Sequence, residues 1–261
     1  MRVASDSVLT GVDVASWWFA LLAAPFAGSF FFVLVRRLPQ ERPDLWGRSR
    51  CDSCGHPLRP WELVPIASFL AQRGRCHACG ARIAPAHLVA EVSSVAIAAA
   101  VAAAGADGVE LWAGCTLGWT LLALAWIDWE FFFLPDVLTL PLLVAGLIVA
   151  WWDMPWMLAD RAVGAIAGYL GFRLLGLLYR LLRRREGLGQ GDAKLLGVAG
   201  AWLGWQVLGD VVLLAAVLGL GMALLRRARG ATLSGTTALP FGPALAAATF
   251  LFWLVQAWLG Q

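Results

Sequence analysis

The chain has 261 residues, of which 60% are hydrophobic and only 14% charged, with a formal net charge of +3. Soluble domains run near ~45–50% apolar and ~25% charged, so soluble, disordered, collagen-like and coiled-coil classes are excluded and an integral membrane protein is expected. Charge is also uneven: residues 36–87 hold nine Arg and four acids, the density of a soluble segment, while the rest of the chain is far poorer in charge.

In chain order, the first residues mix Arg2 with Asp6 and Asp13. The apolar stretch that follows is long enough to span and lacks a small-residue cleavage site, so it does not read as a cleavable signal peptide. Crossing a bilayer takes roughly 20 mostly apolar residues. Eight stretches approach this, at about 14–35, 88–104, 111–127, 131–152, 162–182, 195–208, 211–225 and 241–259. The sixth and seventh are short, with only Gly209-Asp210 between them, and read as a tight helical hairpin. The expected fold class is an all-α polytopic membrane protein. It has about eight transmembrane helices and a small cytoplasmic metal-binding insertion between the first two. The expected division is 1–35 for the N-terminal segment and first helix, 36–87 for the insertion, and 88–261 for the remaining helices.

Basic residues orient such a chain, because Lys and Arg collect on the cytoplasmic side. With eight spans, the loops after the first, third, fifth and seventh share one side and carry 17 of the 20 Lys and Arg. That side is expected to be the cytoplasm, with both termini outside. The positive net charge then reflects topology, and no basic face interleaved with aromatics points to nucleic acid.

Within the insertion stand Cys51-x2-Cys54 and Cys76-x2-Cys79, each pair followed by glycine (Gly55, Gly80). Four thiolates at nearly zinc-ribbon spacing suit a closed tetrahedral zinc site. A segment this small has little core of its own, so bound metal would contribute to its folding. The alternatives are disulfides, which a reducing cytoplasm disfavours, or free thiols. His56 and His77 lie nearby as possible substitute ligands or solvated loop histidines. Cys115 stands alone in an apolar span, where it reads as a small core residue.

Acids inside or at the edge of spans are costly and point to function. They are Glu91, Asp128, Glu130, Asp136, Asp192 and Asp210. Asp128 closes the third span and Asp192, within Gly189-Gln190-Gly191-Asp192, opens the sixth, so both fall on the cytoplasmic side at one depth. Two carboxyls sharing one proton can hydrolyse a peptide: the ionised partner takes a proton from water and the other donates to the scissile carbonyl. The bland alternative is that both are helix caps. Asp136, after Leu134-Pro135, reads as a cap. Asp210 falls on the other side. Glu91 sits one turn into the second span, as a candidate for a second site or a buried partner of an arginine. Gly28-Ser29-Phe30 reads as a close helix-packing site.

Taken together these segments resemble the type IV prepilin peptidases. Gly28-Ser29-Phe30 with Arg37-Leu38-Pro39 is similar to the family's first-helix motif. Arg50-Cys51 through His56, and Arg73 through Cys79, are similar to its zinc-binding loop. Ile127-Asp128 with Leu134-Pro135-Asp136, and Gly189 through Leu195, resemble the segments bearing its two catalytic aspartates. Pro240-Phe241-Gly242-Pro243 resembles the last-helix motif. The chain departs from the family where Phe31-Phe32 replaces Leu-Asn, where Leu63-Val64-Pro65 replaces Asn-Ile-Pro, and where Trp129-Glu130-Phe131 follows Asp128.

The resemblance implies a bifunctional enzyme of the bacterial cytoplasmic membrane. It would cleave the leader of type IV prepilins and type II secretion pseudopilins after a glycine, using Asp128 and Asp192. It would then methylate the new N-terminus from S-adenosylmethionine. Zinc would be held by Cys51, Cys54, Cys76 and Cys79, and Glu91 is the candidate residue toward S-adenosylmethionine. Glu62, Asp44 and Glu91 are the acids available to face a basic leader. A peptidase without methyltransferase activity, and a non-enzymatic zinc-bearing assembly factor, are the competing readings.

Overall fold

The computed structural model describes residues 13–40, 47–184, 189–230 and 239–260. Among them there is no strand, only two isolated bridges, Arg50 to Pro57 and Arg75 to Arg82. The helices are α1 (Asp13–Arg37), α2 (Ala67–Ala71), α3 (Pro85–Ala103), α4 (Gly108–Phe131), α5 (Asp136–Asp153), α6 (Leu158–Arg183), α7 (Gln190–Leu203), α8 (Leu208–Ala228) and α9 (Gly242–Leu259). Seven stretches are long and apolar enough to cross a membrane, and they correspond to α1, α3, α4, α5, α6 with the short turn before it, α8 and α9. Large apolar side chains such as Leu22 (67% exposed), Ile148, Leu174, Leu213 and Val255 stand exposed along these helices. In water such surface would drive aggregation; in hydrocarbon it is the surface a spanning helix presents.

Of the eight expected spans, the sixth, α7, differs from the other seven in length. It has 14 residues, about 21 Å at ~1.5 Å per residue and less than a ~30 Å hydrocarbon core. Yet it carries the chain from the end of its unit where Lys194 meets Asp136 to the end where Trp205 meets Asp160. It can do so because protein encloses it: eleven of its residues, from Asp192 to Leu203, are buried. The break after it also falls earlier than expected. Gly204, at φ +89, ends α7, and Gly209-Asp210 lie inside the first turn of α8. Only glycine adopts that φ without strain, so the stop sits there. A second difference concerns the third span. α4 runs on to Phe131, and Phe132–Pro135 form the turn expected at 128–130, because Pro135 sets the start of α5.

The chain forms two compact units, residues 1–34, 44–119 and 260–261 in one and 35–43 and 120–259 in the other. In the first, α1 and α3 cross closely. A Cβ on Gly28 would lie 2.8 Å from the Ala90 carbonyl oxygen and from Glu91 Cα, which bears out the close-packing reading of Gly28. Trp119 Nε1 donates to the Ser94 carbonyl at 3.0 Å, and the Phe32 and His87 rings meet edge to face.

In the second unit α7 lies against α5, α6, α8 and α9. Gly164 and Gly200 face each other so closely that neither has room for a side chain, and Gly168 meets the Leu196 carbonyl. Trp202 fills the space left by Gly146 and donates to the Leu142 carbonyl at 2.8 Å. Small residues at crossings allow backbones to approach, which supplies packing where no hydrophobic effect acts between helices. This packing brings the start of α5, the start of α7, the start of α9 and the end of α4 to one end of the unit. The opposite end joins Asp160 to Trp205 and Gln206, and Gln256 to the Leu203 carbonyl.

Candidate active site and metal centre

Asp128 lies in the last turn of α4 and Asp192 in the first turn of α7. They are 7% and 8% exposed. Each carboxylate is held by a glycine at a helix N-terminus. Gly242, first residue of α9, donates its backbone N–H to Asp128 Oδ2 at 2.9 Å. Gly189, the N-cap of α7, donates its backbone N–H to Asp192. Neither glycine could carry a side chain unchanged, since a Cβ would lie 2.6 Å from Asp128 Oδ2 and 2.9 Å from Asp192 Oδ2 respectively. The two carboxyls are near enough for their charges to interact. Asp192 is therefore a cap in its geometry, returning to the N-cap as an N3 acid does, and also one of a pair of buried acids. Buried acids that feel each other's charge are a setting for general acid–base chemistry.

Two further contacts fix this end. Gly191 packs directly on the Leu134 side chain. Lys194, two residues past Asp192, donates to Asp136, the first residue of α5. Asp136 does not cap α5, whose N-cap is Pro135 with no side-chain cap hydrogen bond; as the first helical residue it lies where the helix dipole favours an acid, and it ties α5 to α7. Sequence reasoning missed the Lys194–Asp136 pair and the role of Gly242. Both lie in segments marked as motifs, but which carboxylate Gly242 serves depends on a contact 114 positions away. Glu130 accepts from Trp126 Nε1 at 2.8 Å and pairs with Arg36 at 3.4 Å, and Arg226 stacks on the Trp129 ring at 4.2 Å. An open cleft of about 630 Å³ runs along α6 past the start of α7, bordered by Gly171, Phe172, Arg173, Gly189, Gln190 and Ala193.

In the first unit the four cysteines converge, their sulfurs all within 4.8 Å of one another and none in a disulfide. The two Cys-x2-Cys turns are near copies. Cys51 N–H donates to the His56 carbonyl and Gly55 N–H to the Cys51 carbonyl; Cys76 N–H donates to the Ala81 carbonyl and Gly80 N–H to the Cys76 carbonyl. Gly55 and Gly80 both sit at φ +71, where a side chain would strain the turn. Tetrahedral zinc with Zn–S near ~2.3 Å sets sulfurs about 3.8 Å apart, and Cys51 Sγ lies 3.9 Å from Cys79 Sγ. The donor set fits a metal ion of that kind. The Cys54 and Ser53 backbone N–H groups draw the Cys51 thiol down to about 7. The His56 backbone N–H lowers Cys54 too, but desolvation and the crowding thiols of Cys79, Cys51 and Cys76 outweigh it and push Cys54 up to about 11. A bound cation would favour the thiolate form of all four. Neither His56 nor His77 belongs to the cluster; His56 Nε2 lies 4.0 Å from Glu62 instead.

Glu91 has no arginine among its hydrogen-bond partners. Its carboxylate accepts the Ile66 backbone N–H at 2.7 Å and the Ser29 hydroxyl. Glu62 accepts the Arg59 backbone N–H at 2.8 Å, and Asp44 lies outside the described residues.

Two family profiles match the chain. The profile of the bacterial peptidase A24 N-terminal domain matches residues 22–104, which hold Glu91 and the four cysteines. That of the type IV leader peptidase family matches residues 115–224, which hold Asp128 and Asp192. The chain belongs to the type IV leader peptidase family. A Burkholderia pseudomallei (strain K96243) member named prepilin leader peptidase/N-methyltransferase is 42% identical, over 91% of this chain and 84% of its own. Members of the same name from Pseudomonas putida (39% identical, 88% and 86% covered) and Pseudomonas aeruginosa (36%, 92% and 90%) also match. No solved structure matches the chain. Both family profiles thus span the features found independently by geometry.

Proposed function

We propose that this protein is a prepilin leader peptidase and N-methyltransferase of the bacterial inner membrane, the pair of activities its relatives' names carry. The observation that carries the peptidase half is the buried pair Asp128 and Asp192, each braced by a glycine N–H at one end of the second unit. In this reading one carboxylate takes a proton from the attacking water and the other, protonated, donates to the carbonyl oxygen of the scissile bond. The collapsing tetrahedral intermediate then releases the amine of the shortened chain. The glycine N–H groups hold the carboxyls in place through both transfers, so their geometry need not reorganise. The substrates are type IV prepilins or type II secretion pseudopilins, cut after a glycine, and S-adenosylmethionine supplies the methyl group for the exposed amine.

Zinc held by Cys51, Cys54, Cys76 and Cys79 would keep the insertion folded, with no coordination position open for chemistry. The insertion and the Asp128–Asp192 end face the cytoplasm, with both termini outside. What supports this is the meeting of Arg36, Lys194 and Arg226 with side chains at the same end as the two aspartates. The test is incubation of the purified protein with a prepilin and S-adenosylmethionine, followed by mass spectrometry of the pilin N-terminus. A shortened, singly methylated terminus is expected. An intact leader would refute the reading, and a shortened but unmethylated terminus would reduce it to a peptidase alone.

A further inference from the structure

We propose that Glu91 is a positioning residue that locks the cysteine-bearing insertion onto the α1–α3 helix pair, and that it does not bind the methyl donor. Glu91 stands in the second turn of α3 and is 6% exposed. Three elements meet at its carboxylate. It accepts the Ile66 backbone N–H of the insertion at 2.7 Å and the Ser29 hydroxyl of α1. One position before Ser29, Gly28 brings the α1 backbone against Ala90 and Glu91 so tightly that no Cβ fits.

The backbone at Ile66 gives the contact its meaning. Ile66 is the N-cap of α2 and has φ 61 and ψ −55, in a region that disfavours a β-branched residue. Such a conformation persists only where its surroundings hold it, and here the holding group is the Glu91 carboxylate. From Ile66 the constraint passes down a short chain of backbone contacts. α2 follows directly, Gly74 N–H donates to the Phe69 carbonyl, and Ile83 N–H donates to the Gly74 carbonyl. Gly74 immediately precedes the Arg75–Arg82 bridge that frames Cys76 and Cys79. The hydrogen bond from Ile66 to Glu91 ties the insertion to α3 at a point well away from its covalent ends. Glu91 is 6% exposed and its carboxylate already accepts from two protein donors, so it is turned toward the insertion and α1 and away from solvent.

The experiment uses the full-length protein in detergent with E91A and E91Q, each first checked for unchanged metal content. Hydrogen–deuterium exchange read by mass spectrometry over residues 64–72 reports the lock directly. Methyl transfer from labelled S-adenosylmethionine to a cleaved pilin reports its consequence, and only this second arm rests on the proposed function. E91A should raise exchange at the Ile66 amide by about tenfold or more, the consequence of losing a hydrogen bond to a charged acceptor. It should lower kcat for methyl transfer with KM for S-adenosylmethionine unchanged. E91Q should remain close to wild type in both, because the amide oxygen still accepts the same N–H. Unchanged exchange in E91A would overturn the proposal, as would an E91Q protein with a raised KM for S-adenosylmethionine, since that would make the negative charge itself the requirement. If the unaltered protein transfers no methyl group, the functional reading fails while the exchange arm still decides the lock.

Discussion

Gly242 and Gly189 explain how two acids can lie buried side by side at one end of a bundle. Each presents a bare backbone N–H to one carboxylate at a distance that excludes a side chain. Replacing Asp128 or Asp192 by Asn should abolish leader cleavage, because an amide neither takes the water proton nor shares one. The double variant should be no worse than either single, since the two act as a unit. Measured single-turnover cleavage near the normal rate in either single variant would remove the dyad from the mechanism. Gly242→Ala should be harmful although alanine is small. Its Cβ would meet Asp128 Oδ2 at 2.6 Å, and displacing a reacting group by about 1 Å can cost on the order of 10²-fold in rate. The check is the cleavage rate of G242A beside its thermal stability. A stable variant with an unchanged rate would show that Asp128 tolerates displacement.

Among the elements, the two cysteine turns and α7 show opposite degrees of legibility. Each turn is specified by a local pattern, Cys-x2-Cys-Gly, whose glycine at φ +71 allows the return of the chain. Its backbone hydrogen bonds repeat almost atom for atom in the second copy. The prediction at this scale is one tightly held zinc per chain, and Cys51→Ser or Cys76→Ser should lower the metal content measured on purified protein. Helix content by circular dichroism should barely change, because the long helices lie outside the insertion. Protein purified without chelator and free of zinc would end this reading. α7 could not be delimited in the same way. Its residues are as apolar as those of a span, and hydropathy alone does not distinguish a helix buried in lipid from one buried in protein. Its 14 residues are set by Gly189 and Gly204, and its surroundings by glycine-mediated crossings with α6 and by Trp202 against Gly146.

Across the whole molecule, basic residues mark one side. Arg36, Lys194 and Arg226 engage Glu130, Asp136 and Trp129, all on segments that end near Asp128 or Asp192. If that side is cytoplasmic, a membrane-impermeant thiol reagent applied to intact cells should label a cysteine introduced at Asp107, between α3 and α4. It should miss one introduced at Ser49 in the insertion unless the membrane is first opened. The reverse labelling pattern would invert the topology and move the aspartates to the wrong face for the proposed substrates.

Composition and periodicity by themselves determined that the chain is helical and membrane-embedded, that one charged insertion interrupts it, and that four cysteines in that insertion are poised for metal. These are properties of local sequence, since a hydrocarbon environment leaves a spanning segment little choice but helix and a Cys-x2-Cys-Gly run brings its own turn. The positions of Asp128 and Asp192 were also visible, as acids in places where acids are costly. Only the tertiary structure decided which backbone amides hold them, that Asp136 reaches Lys194, that Glu91 serves a strained amide of the insertion rather than an arginine, and that α7, short for a span, crosses enclosed by protein. Those outcomes depend on how closely α1 approaches α3, or α6 approaches α7. That closeness is a pairwise property of surfaces brought together by folding, which neither segment carries alone.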